Sequence, residues 1–147
     1  MAVNCEDFFS YMKKQITVLI ADDNQLMRET LRIVIGFIEN ATLIGEAVNG
    51  KEAIALAKEL SPDIILMDVN MSPVNGFEAT RKILKQNPAA KIIGLSLHKE
   101  ISYAKNMMKL GARGYVTKSS PHHEIIDAIE KVAAGEKYID KGLAGRI

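Results

Sequence analysis

Asp63-Ile64-Ile65-Leu66-Met67-Asp68-Val69-Asn70 is an apolar run that breaks onto a carboxylate. Ile64 to Met67 follows the turn pair Ser61-Pro62 and shows no polar alternation, the pattern of a strand buried on both faces. Strands of that kind belong to parallel sheets covered by helices, and in open sheets of this class ligands bind beyond the carboxyl ends of the strands. Asp68 stands at such an end. Taken alone it fits a ligand, a nucleophile or an ordinary turn residue, since Asp is common in turns and helix starts.

Outward from this strand the same alternation repeats. Ile16 to Ala21 reads as a first strand ending in Asp22-Asp23, Thr42 to Val48 as a second, Lys91 to Leu95 as a fourth ending at Ser96, and Arg113 to Thr117 as a fifth ending at Lys118. Between and after them, helices are expected from about Gln25 to Glu39, from Asn49-Gly50 to Leu60, from Asn75-Gly76 to about Gln86 and from Ile101 to Leu110. A last helix opens with Pro121 at its first position and closes at Gly135. Asn49 and Asn75 each stand three residues before a Glu, a capping-box-like start, and Gly111 fits a helix C-cap. Five strands alternating with five helices give an α/β sandwich on a five-stranded parallel sheet. Residues 16–136 form that domain, 1–15 an N-terminal extension without sustained periodicity, and 137–147 a linker or tail. The extension, with Phe8, Phe9, Tyr11 and Met12, reads as a frayed terminus or as a flap on the domain surface.

The totals agree with a folded, soluble domain. Of 147 residues, 48% are hydrophobic and 25% charged, and 19 basic residues against 18 acidic leave a net charge of +1. No basic patch dominates, which argues against this chain gripping nucleic acid by itself. No apolar run approaches the ~20 residues that span a bilayer, and the start lacks a signal-peptide pattern. Cys5 is the single cysteine, so there is neither a disulfide framework nor a zinc quartet, and a reducing cytoplasmic setting is expected. His122-His123 point to different faces of a helix and have no partner ligands.

The strand ends carry the chemistry. Asp22-Asp23, Asp68, Ser96 and Lys118 would meet at one edge of the sheet. Each has a plain explanation: a helix-start region, a turn acid, a turn hydroxyl, a solvated charge. As a set they suit one reaction. Clustered carboxylates either hold protons or gather a cation, and all-oxygen ligands with room for waters suit Mg²⁺. A carboxylate attacking a phosphoryl group needs a metal and a cation against the charged oxygens, and a hydroxyl to bond one of them. Asp23, Lys118 and Ser96 match those needs around Asp68.

At this point the chain resembles the receiver domain of a two-component response regulator. The resemblance covers residues 16 to about 135 and rests on Val18-Leu19-Ile20-Ala21-Asp22-Asp23, Leu66-Met67-Asp68-Val69-Asn70-Met71, Asn75-Gly76-Phe77-Glu78, Ser96, and Gly111-Ala112-Arg113-Gly114-Tyr115-Val116-Thr117-Lys118. It implies a flavodoxin-like doubly wound fold and a phosphoacceptor rather than an enzyme with a separate substrate, with at most self-phosphorylation and self-dephosphorylation. By resemblance, Asp68 accepts phosphate from the phosphohistidine of a sensor histidine kinase or phosphotransfer protein. Mg²⁺ would be bound directly by Asp23, Asp68 and the backbone carbonyl of Asn70, with Asp22 acting through water. Lys118 would pair with the phosphoryl group, Ser96 would swing toward it, and the ring of Tyr115 would turn inward behind Ser96. Without the family, Tyr115 reads as a half-buried strand aromatic. Asn70 and His98 hold the positions that tune phosphate lifetime, and are expected to flank the path of the hydrolytic water. The ending Ala134-Gly135-Glu136-Lys137-Tyr138-Ile139 resembles receivers that precede a LuxR-type helix-turn-helix domain. That implies a fragment of a transcription regulator, binding DNA only through an output domain and forming a homodimer on phosphorylation, with no membrane partner. A stand-alone or degenerate receiver acting as a protein-interaction module is the alternative.

Two positions depart from the family. Ser72 stands where a Pro is usual, with Pro73 next, and Ser119 follows Lys118 where a Pro in a cis peptide is frequent. The expectation is a cis Lys118–Ser119 bond, kept at ~3 kcal/mol so that the lysine reaches the phosphoryl group. A haloacid-dehalogenase-like phosphatase is disfavoured because that family needs Asp-x-Asp after strand one. A flavin or nucleotide carrier is disfavoured because Asp22-Asp23-Asn24-Gln25 is acidic and lacks glycine. Leu26, Ile33 and Phe37 form a second apolar stripe on the first helix, either packed under a neighbour or the N-terminal segment, or open as a docking face for the kinase.

Overall fold

The computed structural model describes residues 14–97 and 100–146. The N-terminal extension up to residue 13 and His98 therefore lie outside the described residues, and with them the expectations placed there. Strands β1 (Ile16–Ala21), β2 (Ala41–Ala47), β3 (Ile64–Asp68), β4 (Lys91–Ser96), β5 (Gly114–Thr117) and β6 (Tyr138–Ile139) form one parallel sheet in the order β2-β1-β3-β4-β5-β6. Every residue of β3 is buried, as an unbroken apolar run requires when both faces are covered.

Side-chain alternation along the strands builds two cores. Val18, Ile20, Ile64, Leu66, Ile93, Leu95 and Val116 face one side. There they meet Leu31, Val34 and Ile35 of helix α1 (Gln25–Gly36) and Ile125, Ala128, Ile129 and Val132 of α5 (His122–Ala133). Leu19, Ala21, Ile65, Met67, Ile92 and Tyr115 face the other side, against α2 (Gly50–Leu60), α3 (Gly76–Gln86) and α4 (Ile101–Leu110). These five helices cover both faces, α1 and α5 on one and α2, α3 and α4 on the other, and the carboxyl ends of the strands open toward the same edge.

The starts of α2 and α3 follow the local chemistry of their sequence. Asn49 Oδ1 accepts from the Glu52 N–H at 2.8 Å, and Glu52 Oε1 accepts in return from the Val48 N–H at 3.2 Å. Asn75 Oδ1 accepts from the Glu78 N–H at 2.9 Å, while the Glu78 side chain turns to Lys82 instead of reaching back. Asn24 caps α1 through the Met27 N–H at 2.9 Å, which releases Asp22 and Asp23 from capping. Pro121 occupies the N-cap of α5, one place before the position expected for it.

Three expectations are corrected. The sheet has six strands among the described residues, not five, because Tyr138–Ile139 in the expected tail pairs with Gly114 and Tyr115 on the outer edge of β5. A short helix α6 (Lys141–Ala144) follows, and Tyr138 and Leu143 are buried. Two residues carry no readable alternation, so only the waiting edge of β5 makes them a strand. The Lys118–Ser119 bond is trans, and the cis peptide among the described residues is Ser72–Pro73. Lys118 reaches the acidic cluster without the cis bond, and nothing then offsets the cost of cis before a residue other than Pro. Finally α1 ends at Gly36, three residues before the expected Glu39, with Ile38 still packed into the core beyond it.

Candidate functional site

β1 and β3 pair at the point where the winding reverses, β2 lying on one flank and β4 on the other. Ala21 is in register with Met67, Asp68 with Leu95, and Ser96 with Thr117. Those registers carry the next residues, Asp22, Asp68, Ser96 and Lys118, onto one edge. The strand-end residues singled out in the sequence thus lie together at this edge.

Its charges interlock. The Lys118 Nζ lies 2.7 Å from Asp22 Oδ2 and 3.4 Å from Asp68 Oδ2, with side-chain exposures of 8%, 0% and 2% for Lys118, Asp22 and Asp68. Asp22 Oδ1 accepts from the Asn24 N–H at 2.9 Å, and Asp68 Oδ1 from the Asn70 N–H at 3.0 Å. Asp23 is exposed, and among the described residues it has no hydrogen bond or ion pair. Carboxylate oxygens of Asp22, Asp23 and Asp68 lie within 4.8 Å of one another. Burial pushes the Asp68 carboxyl up to about 6; the Asn70 N–H and the Lys118 ammonium pull it down, and the Asp22 charge pushes it up.

The donor set fits a hard divalent cation. It is all oxygen, one carboxylate is uncommitted and open to water, and Asp22 Oδ2 is buried with no hydrogen bond beyond its ion pair with Lys118. Two buried acids against one buried ammonium also leave a net negative charge for a cation to neutralise.

The hydroxyl side of the site is assembled through β4 and β5. Ser96 is buried, and its Oγ accepts from Asn70 Nδ2 at 3.3 Å. Tyr115 is fully buried behind it, deeper than the half-buried aromatic its strand position suggests. Burial pushes the Tyr115 phenol up from its ordinary value, and a hydrogen bond with Ser96 pulls the other way. The Asn70 side chain is thus a bridge between the Asp68 loop and Ser96.

Sequence reasoning missed three supports of this edge. Arg28 Nη1 donates to the Asp22 carbonyl at 2.8 Å, and its Nε lies 3.6 Å from Glu46 Oε1. Gly76 lies so close to the Asp68 carbonyl that an added Cβ would collide with it, and would stand 2.6 Å from Val69 Cα. Thr117, next to Lys118, is bound through its N–H and hydroxyl to Asp140, each at 3.1 Å. Only Gly76 left a signal, as a small residue directly after an N-cap; Arg28 and Asp140 look like ordinary surface charges in the sequence.

The pattern that defines the response regulator receiver domain matches residues 18–130. The chain is 37% identical over 132 residues to the response regulator GacA of Pseudomonas aeruginosa, covering 90% of this chain and 62% of GacA. It is 36% identical over 127 residues to the transcriptional regulatory protein DegU of Brevibacillus brevis, covering 86% of this chain and 54% of DegU. It therefore spans less than two thirds of the length of these relatives. Among solved structures, a LuxR-family two-component response regulator from Aurantimonas sp. SI85-9A1 superposes with a TM-score of 0.87 at 33% identity, over 90% of this chain and 94% of that one.

Proposed function

The chain belongs to the response regulator receiver domain family, and from that membership we propose that Asp68 is its phosphoacceptor. An Asp68 carboxylate oxygen attacks the phosphorus of a phosphohistidine on a sensor histidine kinase or phosphotransfer protein. The O–P bond forms, the P–N bond breaks, and the imidazole nitrogen keeps the electron pair. Asp23, Asp68 and the Asn70 carbonyl would hold Mg²⁺, with Asp22 contacting it through water. When bound, Mg²⁺ supplies positive charge against the phosphoryl oxygens. Lys118 leaves its ion pair with Asp68 for those oxygens, Ser96 donates its hydroxyl to one of them, and Tyr115 follows Ser96 as the switch residue. Asn70, already on Ser96, and His98 tune the lifetime of the product.

The observation that carries this reading is the Asp68 carboxylate, buried beside Lys118 while Asp23 stays open to solvent. The likeness to a LuxR-family response regulator and to a transcriptional regulatory protein supports a parent protein that regulates transcription; for that parent, DNA binding through an output domain, dimerisation on phosphorylation and a cytoplasmic setting belong to the same proposal. Among the described residues no helix is long and apolar enough to cross a membrane. Leu26, Ile33 and Phe37 are 71%, 65% and 77% exposed, which favours the docking face over packing under a neighbouring helix.

Incubation with Mg²⁺ and acetyl phosphate tests the assignment by intact mass. One added phosphate is expected on the native chain and none on Asp68→Asn. Equal labelling of both would reject Asp68, and no labelling of either would make the domain a degenerate interaction module.

A further inference from the structure

We propose that Asp140, outside the segment matched by the family, is a positioning residue that sets the reach of Lys118; this rests on the phosphoryl-transfer reading of the site. Lys118 emerges from β5 without a proline after it, and its own N–H donates to the Ser96 carbonyl at 2.7 Å on the inner side. The outer side is held by Asp140. The main chain of β6 supplies the first rungs, with Tyr138 N–H donating to Arg113 O at 3.0 Å and Asp140 N–H to Tyr115 O at 2.8 Å. There the strand ends, and the Asp140 carboxylate takes the next rung in place of a backbone carbonyl. Its Oδ2 accepts from the Thr117 N–H and the Thr117 hydroxyl, each at 3.1 Å, and from the Ser120 hydroxyl. Its Oδ1 accepts from the Gly142 N–H at 2.8 Å, which starts α6.

Asp140 is 5% exposed and so is a buried carboxylate with four donors from three residues. Burial pushes its carboxyl up, yet the donors from Ser120, Thr117 and Gly142 together hold it below the ordinary value. A buried anion committed in this way is costly to disturb. Two of the three residues it grips, Thr117 and Ser120, bracket Lys118-Ser119. The side chain of Lys118 is therefore aimed by a backbone fixed on both edges, from Ser96 inside and from Asp140 outside. Tyr115 is tied to the same residue through its carbonyl, so the switch strand and the lysine share one anchor.

The decisive experiment measures the rate of Asp68 phosphorylation by acetyl phosphate with Mg²⁺. Asp140→Asn, which weakens the charge-assisted bonds, is expected to slow it about ten-fold, the scale of a modest misplacement of a reacting group. Thr117→Val is expected to slow it as well, with Thr117→Ser restoring the rate because it keeps the hydroxyl. In a Lys118→Ala background, Asp140→Asn should add nothing further. Tyr138→Phe breaks the bond from the same segment to Glu124, at 2.8 Å, without touching Thr117 or Ser120, and should leave the rate unchanged. Ser120→Ala, a milder change, gives the same reading if Asp140→Asn does not fold. A native rate in Asp140→Asn and Ser120→Ala, or an equal loss in the Lys118→Ala background, overturns the proposal while phosphorylation of the native chain leaves the functional reading standing. An unlabelled native chain overturns both.

Discussion

Asp68 spends its ionised state in a place that disfavours charge, and this makes the site measurable through stability as well as chemistry. Its carboxyl titrates near 6 in the fold against about 3.8 in an ordinary setting, so it binds a proton more tightly folded than unfolded. Well below pH 3.8 it is protonated in both states and costs nothing; as pH rises from there through about 6 the penalty for a buried charge builds to its full value. In metal-free buffer Asp68→Asn should therefore match the native chain at about pH 3 and exceed it by roughly 1–2 kcal/mol above pH 7, a figure reduced for partial screening by solvent. Urea unfolding across that range checks this, and a difference independent of pH would contradict it. Lys118 also pairs with Asp22 at 2.7 Å, a partner that the substitution does not remove. The identities in this cluster were legible because strand ends in a parallel sheet must converge. Their mutual geometry was not, since the pairing of Lys118 with both acids depends on registers between strands far apart in the chain.

At the scale of elements, the loop after β3 is pinned by the first turn of α3. Gly76→Ala drives a methyl group into the Asp68 carbonyl and Val69, and is expected to cost about 3 kcal/mol, the upper end of overpacking penalties, and to slow phosphorylation of Asp68. Gly36, with nothing within 4 Å of an added Cβ, is the matched control, and Gly36→Ala should stabilise by about 0.5 kcal/mol. Thermal unfolding of the pair separates them; equal effects would show that α3 does not press on the site. The Asn49 and Asn75 caps and the apolar faces of α1 and α5 were readable because capping and helical spacing are local. β6 and α6 were not, because Tyr138 and Leu143 are buried in cores made of distant elements, which the chain must first assemble. The trans Lys118–Ser119 bond was missed for a related reason: an anchor supplied by Asp140, twenty-two residues after Lys118, has no local trace.

Across the molecule, the charged strand-end cluster and the exposed apolar stripe are distinct surfaces. Asp22, Asp23, Asp68, Ser96 and Lys118 sit at the carboxyl edge of the sheet, while Leu26, Ile33 and Phe37 lie exposed along α1 and at its C-cap, a stripe that starts near that edge and runs away from it. Changing those three apolar residues to Ser should slow transfer from a phosphohistidine donor protein at least about ten-fold, the loss of a small hot-spot cluster, and leave acetyl phosphate labelling unchanged. Equal slowing with both donors would mean the stripe serves folding instead. The most direct test of the central claim is to trap the acyl phosphate. After incubation with Mg²⁺ and acetyl phosphate, borohydride reduction converts a phosphorylated aspartate to homoserine, and peptide mass spectrometry locates it. The account predicts homoserine at position 68 alone, dependent on the donor; an unreduced Asp68, or homoserine at position 22 or 23, would contradict it.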